Sequence, residues 1–407
     1  MARTAAIIAV ALVLAAPVLA ADWPQWRGLA RDGRSAETDW SADWGAAGPK
    51  VLWRASVGEG YSSISVAGGR AFTMGWQAGS DTVWGFDAET GKVLWKYAYA
   101  CPAGTHPGPR CSPTVDGDRV YTTSREGLLA ALEAAGGKVA WSVDLFKSLG
   151  GAAPRWGYAC SPLVVGDRLV VETGIAGAAF VALAKSDGRP VWKSGTEVCG
   201  YASPVAYEQG GRTLVAAFTG SAVLGFRAGD GGAVWRYPWH KMMYMNTIAT
   251  PIVAGDLVFV SAAYGGGAAC LRVGEGKAEL VWKGPQMRSL FNTCVLDGGH
   301  LYGFDGDRPD AGELRCVELA TGRVKWARPR PGKGNVILAG ERLIIQEEGG
   351  DLVVAQATPE AYRELARAKV LDGECWTPPV LSGGRIYCRN SEGRVVCVDV
   401  RKPAVQR

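Results

Sequence analysis

Histidine is nearly absent, at 3 of 407 residues. His106, His240 and His300 are scattered, and neither Cys-x-x-Cys nor His-x-x-x-His occurs, so a zinc centre lacks ligands at the usual spacings. Charge is also scarce, at 20% of residues, and the net charge of +5 comes from 44 Lys+Arg against 39 Asp+Glu. No block of consecutive basic residues forms the stripe that nucleic acid would require. Gly-x-Ser-x-Gly and Walker-type loops are missing, which removes the common hydrolase and nucleotidase arrangements. The apolar run from Ala5 to Ala16 is too short to span a bilayer, and no later segment is long enough. With Arg3 before it and Pro17 and Val18-Leu19-Ala20 after it, that run reads as a cleaved signal peptide over residues 1–20. A soluble exported protein, periplasmic or extracellular, is the expectation. No Cys follows the cleavage site to take an acyl chain, and export makes disulfides accessible to the 10 cysteines.

Glycine and tryptophan, by contrast, are plentiful, at 56 and 16 residues. Their placement is periodic. Lys50-Val51-Leu52-Trp53, Gly91-Lys92-Val93-Leu94-Trp95, Gly137-Lys138-Val139-Ala140-Trp141, Arg189-Pro190-Val191-Trp192, Gly232-Ala233-Val234-Trp235, Leu280-Val281-Trp282 and Gly322-Arg323-Val324-Lys325-Trp326 recur with Trp steps of 42, 46, 51, 43, 47 and 44. A repeat of about 45 residues is the length of one propeller blade. About halfway along each period comes a small-residue slot, often Ser-Pro, and then a Gly-Asp-like turn. Ser63, Ser112, Ser161, Ser203, Thr250, Thr293, Asn335 and Pro378 open the eight slots. Pro is tolerated where a strand begins, and the Gly turn supplies a hairpin. Four short strands per period make one blade.

The sequence thus predicts an all-β, eight-bladed propeller of four-stranded blades over residues 49–400. Residues 21–48 form an N-terminal extension packing on the ring, and 401–407 a tail. The chain stops after Asp399 without a closing Trp strand and begins with an orphan one at Lys50 to Trp53. The N-terminal strand is therefore expected to complete the last blade and close the ring, removing an exposed edge. Blade seven carries Tyr362 in place of Trp, and Glu360 to Leu371 holds good helix formers; repeat phase assigns it to strand.

The unit Ala88-Glu89-Thr90-Gly91-Lys92-Val93-Leu94-Trp95 resembles the tryptophan-docking repeat of PQQ-like, quinoprotein-type β-propellers. The opening Asp22-Trp23-Pro24-Gln25-Trp26-Arg27-Gly28 and Gly60-Tyr61-Ser62-Ser63 are similar to a secreted subgroup of PQQ-binding-like repeat proteins. The resemblance implies that Trp53, Trp95, Trp141, Trp192, Trp235, Trp282 and Trp326 are docking residues. A flat indole with one N–H to satisfy suits wedge contacts between blades. Pyrroloquinoline quinone and calcium follow from the resemblance alone. Enzymes of the family use them with an acidic base and, in some, a disulfide between adjacent cysteines, but no Cys-Cys pair occurs here. The acidic loop Asp305, Asp307, Asp310 and Glu313 is the one candidate for calcium, against a solvated hairpin loop as the alternative; its spacing is not that of an EF-hand.

Cys101 and Cys111 bracket a Pro/Gly-rich loop, 102–110, that a disulfide between them would staple; the other cysteines read as buried thiols. Extended loops at 96–110, 142–158 and 236–248 fall on one face of a propeller. Arg110, Arg155, Trp156, Tyr158, Trp239, His240, Lys241 and Tyr244 lie on them, while Tyr61, Tyr201, Arg288, Phe291 and Trp376 precede inner strands near the axis. Aromatic and Arg residues are the types that dominate binding interfaces. Met242, Met243 and Met245 in the last loop suit an adaptable apolar contact surface. The set Tyr61, Arg110, Arg155, Trp156, Tyr201, Trp239, His240, Arg288 and Trp376 is the expected ligand-binding group, with no catalytic or metal-binding residue. The leading expectation is an exported, non-catalytic scaffold, monomeric, that binds an envelope protein or a small ligand. A PQQ- and calcium-dependent dehydrogenase of alcohols or sugars, a scaffold like that of the outer-membrane assembly machinery, and a carbohydrate-binding propeller are the alternatives.

Overall fold

A computed structural model describes residues 22–240, 246–306, 312–329 and 331–402. The segment read as a signal peptide, Met242, Met243, Met245 and the tail beyond 402 lie outside them. Eight antiparallel sheets follow one another in chain order, each running from an inner to an outer strand. Blade 1 is Ser65–Ala67, Arg70–Gln77, Ser80–Asp87 and Val93–Ala100. Inner strands open blades 2 to 7 at Thr114–Asp116, Leu163–Val165, Val205–Gln209, Ile252–Ala254, Val295–Asp297 and Gly334–Ala339. Blade 8 has Val380–Ser382, Arg385–Arg389 and Arg394–Asp399, and its fourth strand is Lys50–Ser56, with Trp53 opposite Cys397. Glu364–Lys369 is the outer strand of blade 7 despite its helix-forming composition, because pairing with Asp351–Gln356 supplies tertiary contacts that local propensity does not.

Burial explains the two sequence textures. Middle strands are sandwiched between neighbouring blades, so Leu129–Leu132 and Val353–Ala355 are buried without alternation. Outer strands such as Val93–Ala100 alternate, since one face meets water. The turn after the first inner strand uses Gly68 and Gly69 at φ +56° and +73°, the left-handed geometry a two-residue hairpin demands.

The repeated Trp and Ser residues each join one blade to the next. Indole N–H groups of Trp53, Trp95, Trp141, Trp192, Trp282 and Trp326 donate to the carbonyls of Ala88, Ala134, Lys185, Ala228, Leu319 and Thr358. Trp235 departs from the pattern and donates to the Tyr207 hydroxyl of its own blade at 2.7 Å. Nearer the axis, the N–H groups of Ser63, Ser112 and Ser161 donate to the hydroxyls of Ser112, Ser161 and Ser203, and Thr250 N–H to Thr293. The slot therefore carries a hydroxyl because the preceding blade has a buried amide to satisfy.

The segment from Asp22 to Trp40 crosses the face bearing the Gly turns. Trp23 bridges Val66, the Val115 N–H donates to Pro24, and Arg34–Ser35 pairs in parallel with Gly334–Ala339. Glu37 accepts the N–H groups of Gly383 and Gly384. Two buried arginines rise from this segment into the axis. Arg31 donates to the carbonyls of Ser161, Pro162 and Pro204, to Thr114 Oγ1 and to Gln25 Oε1. Arg27 reaches the carbonyls of Thr293 and Cys294 at 3.0 and 2.6 Å. Burial pulls the two guanidinium pKa values down to about 9 and about 10, the cost of placing cations among carbonyls rather than carboxylates.

A third buried arginine sits where the ring closes. Arg389, at the end of a blade 8 strand, donates to the Ser62 and Met74 carbonyls at 2.8 and 2.7 Å, to Thr73 Oγ1 at 3.0 Å and to the Gly58 carbonyl at 3.3 Å. Blade 1 and the strand that enters it are thereby tied to blade 8.

Candidate functional site

The connections into the inner strands share the face opposite the N-terminal segment, and their side chains meet around the axis. Tyr61, entering blade 1, stacks on Trp376, entering blade 8, with centroids 5.9 Å apart. Trp376 stacks in turn on Phe291, which precedes blade 6, at 4.3 Å. The Lys333 ammonium, at the start of blade 7, lies 4.8 Å from the Trp376 ring and 5.5 Å from Phe291. Asn335 Nδ2 donates to the Phe291 and Trp376 carbonyls, and the Trp376 indole donates to Glu348 at 2.8 Å, so the ladder is held from behind. Burial and the nearby Glu374 raise the Tyr61 phenol pKa.

The blade 2 loop completes this wall. Arg110 lies 5.8 Å from the Tyr61 ring and donates to the carbonyls of Gly108, His106 and Thr105. Its pKa is lowered to about 10, by burial and by Arg125. Next to it the Trp156 N–H donates to the Tyr201 hydroxyl at 3.3 Å, Arg155 lies 5.0 Å over the Trp156 ring, and His106 packs on the same indole at 5.9 Å.

Six of the nine expected binding residues, Tyr61, Arg110, Arg155, Trp156, Tyr201 and Trp376, therefore fall into two contacting groups at the mouth. Arg288 is committed elsewhere: it grips Asp305 through Nε and Nη2 at 3.0 and 2.7 Å, while Arg315 takes the same carboxylate at 3.1 Å. Trp239 and His240 form a separate group. Trp239 is buried edge-on against Phe218 at 5.0 Å, with Lys283 of the blade 5 outer strand 4.5 Å from its ring. Tyr158 is buried against Phe146 and packs the loop. Lys241 and Tyr244 lie outside the described residues. Sequence reasoning passed over Lys333 and Glu348, and also Arg27 and Arg31 at the base of the axis, none of which belongs to a repeated motif; Asn335 was read as a slot residue, without its role at the mouth.

Two expectations need correction. Cys101 and Cys111 are separate thiols: Cys101 faces Asp81, and Cys111 donates to the Ser112 carbonyl. The loop between them is pinned instead by guanidinium forks, Arg110 on its own carbonyls and Arg125 on Ala103. The acidic loop is not a solvated hairpin throughout, because Asp305 is buried under two arginines; Asp307 and Asp310 lie outside the described residues. Calcium requires six to eight oxygen ligands. Among the described residues no three His, Cys, Asp or Glu side chains are grouped to hold a metal. Asp305 and Glu348 are already bonded to Arg288, Arg315 and Trp376. Among the described residues, the mouth offers no group of carboxylates for a calcium-bound quinone.

Beneath Tyr201, Glu172 is buried between Cys160 and Cys199, and burial lifts its pKa to about 8. A folded-state pKa above the unfolded value of about 4.3 means the native state binds the extra proton, so this group's contribution to stability declines as pH rises from about 4.3 towards 8. Glu172→Gln is expected to flatten that decline. Urea midpoints at pH 5 and pH 8 test it, and parallel pH dependence in the two proteins would refute the assignment.

The family model described as outer membrane protein assembly factor BamB matches residues 102–328, just over half of the chain. The outer membrane protein assembly factor BamB of Moranella endobia (strain PCIT) is 25% identical over 333 residues, covering 76% of this chain and 78% of that protein. The crystal structure of BamB from Moraxella catarrhalis superposes with a TM-score of 0.64 at 18% identity, over 86% of this chain and 99% of that one. The quinohemoprotein alcohol dehydrogenase of Comamonas testosteroni gives 0.68 at 14% identity, over 95% and 82%. At these identities the structural likenesses describe the fold alone.

Proposed function

This chain belongs to the outer membrane protein assembly factor BamB family of PQQ-like propellers, and from that premise we propose that it is a non-catalytic scaffold whose mouth-bearing face binds another protein of the cell envelope. The observation that carries the reading is the aromatic ladder Tyr61–Trp376–Phe291 with Lys333 and Arg110 against its rings. Half-buried rings pre-positioned by hydrogen bonds lose little entropy on binding, and such anchors carry most of an interface's energy. The relatives named as outer membrane assembly factors direct the search to the partner class: envelope proteins engaged in outer membrane assembly. The signal peptide expected from residues 1–20 agrees with the same compartment. No helix among the described residues is long and apolar enough to cross a membrane.

A photo-crosslinking residue at Tyr61 is expected to capture a defined envelope protein in cells. Tyr61→Ala with Trp376→Ala is expected to weaken that complex about 100-fold, the loss of two anchors of roughly 1.4 kcal/mol each. Lys283→Ala at the rim is the control and leaves it intact. Partner binding that ignores the ladder, or reduction of an artificial electron acceptor by the chain with pyrroloquinoline quinone and calcium, would overturn the proposal.

A further inference from the structure

Behind the Tyr201 side of the mouth, two thiols from successive blades converge on one carboxyl group. Cys160, at the entry to blade 3, lies 3.8 Å from Glu172 Oε2 and donates to the Ala202 carbonyl at 3.3 Å. Glu172 Oε1 accepts the Gly200 N–H at 2.7 Å, and Cys199, at the entry to blade 4, donates to the Gly200 carbonyl at 3.2 Å. The two thiols lie close enough to Glu172 and to each other that each perturbs the ionisation of the others. Cys160 is 1% exposed and Glu172 0%, whereas Cys199 keeps 9%. Cys101 and Cys294, by contrast, take Asp81 and Ser289 as partners. Nothing in blade geometry requires a carboxyl group buried against two thiols, and the binding face does not use it.

We propose that Cys160 and Cys199 are a redox pair that closes to a disulfide between the entries of blades 3 and 4. The co-reactant is a disulfide oxidant. Where Glu172 is ionised, above about pH 8, Cys199, the more exposed, gives its proton to the carboxylate and attacks one sulfur of the oxidant; a mixed disulfide forms, the oxidant's S–S bond breaks, and the departing thiolate takes the proton back. Cys160 is deprotonated by Glu172 in the same way, attacks the Cys199 sulfur and expels the second thiolate, which leaves as a thiol. The protein loses two S–H bonds and gains one S–S bond, and the oxidant is reduced to two thiols. The structure shows the reduced form. Closure ties together two blades that otherwise meet through hydrogen bonds and packing.

The test uses the full chain, reduced and then incubated with oxidised glutathione, denatured, alkylated and weighed. Two of the 10 thiols are expected to escape alkylation, to return on reduction, and to appear in a non-reducing digest as one peptide joining Cys160 to Cys199. Cys160→Ser is expected to stall as a glutathione adduct on Cys199, and Glu172→Gln to slow closure at least tenfold with the same end product. Ten alkylated thiols after oxidation, a cross-link to any other cysteine, or no adduct in Cys160→Ser would overturn the assignment. An unchanged rate in Glu172→Gln would overturn the carboxyl group's part in it.

Discussion

Arg31→Met is expected to destabilise the folded chain by about 4 kcal/mol. The guanidinium has five N–H donors, and Gln25, Thr114, Ser161, Pro162 and Pro204 supply five acceptors, from the N-terminal segment and from blades 2, 3 and 4. Methionine keeps much of the volume and removes the donors: the Pro162 carbonyl retains the Thr114 hydroxyl, but the buried Ser161 and Pro204 carbonyls lose theirs, at about 1–3 kcal/mol each before relaxation. Part of that loss is offset, because an uncompensated buried cation is itself expensive and its removal relieves several kcal/mol of desolvation. The orphaned acceptors outnumber the relieved charge, so the net sign is destabilising. Arg31→Lys is expected to rescue little, having three donors and no planar fork. Urea unfolding measures the loss, and proteolysis within residues 22–48 should accelerate in parallel. An unshifted midpoint would show that the carbonyls find water instead.

Arg389→Met should cost about 3 kcal/mol by the same reasoning applied to fewer acceptors: the carbonyls of Gly58, Ser62 and Met74 and the Thr73 hydroxyl. Its location gives a second readout. Among the described strands Lys50–Ser56 pairs only with Arg394–Asp399, and Arg389 links blade 8 to the turn that follows that strand. Amide exchange in Lys50–Ser56 is therefore expected to rise more than in blades 3 to 5. Uniform acceleration around the ring would mean that Arg389 supports the core generally and not the closure.

The blades could be read in the chain because a propeller repeats its own solution. Six of the seven repeat tryptophans take a carbonyl in the following blade, and four slot hydroxyls answer an amide in the preceding one, so the same residues return at the same spacing. Closure could be read from a strand without a blade at one end and a blade without a strand at the other. Arg27 and Arg31 could not, since each is used once and stands outside the repeats; the motif that contains Arg27 was visible while its destination was not. At the mouth the residue types were legible but their meeting was not. Tyr61, Trp376 and Phe291 are far apart in the chain, and only the completed ring stacks them. Where the Trp239 ring would pack was not legible either, because position on a loop does not say whether a ring turns to the axis or to the adjacent blade. The Cys101 to Cys111 staple failed because a loop rich in free carbonyls can be pinned by two arginines as readily as by sulfur.

The closing strand also sets an order of events. Trp53 finds its partner at Cys397, so the earliest strand of the ring waits through the synthesis of every blade before it can pair. The N-terminal segment depends likewise on blades 2 to 8 for its hydrogen-bond partners. What is made first is thus placed last, and until then an unpaired strand edge stands open to other chains.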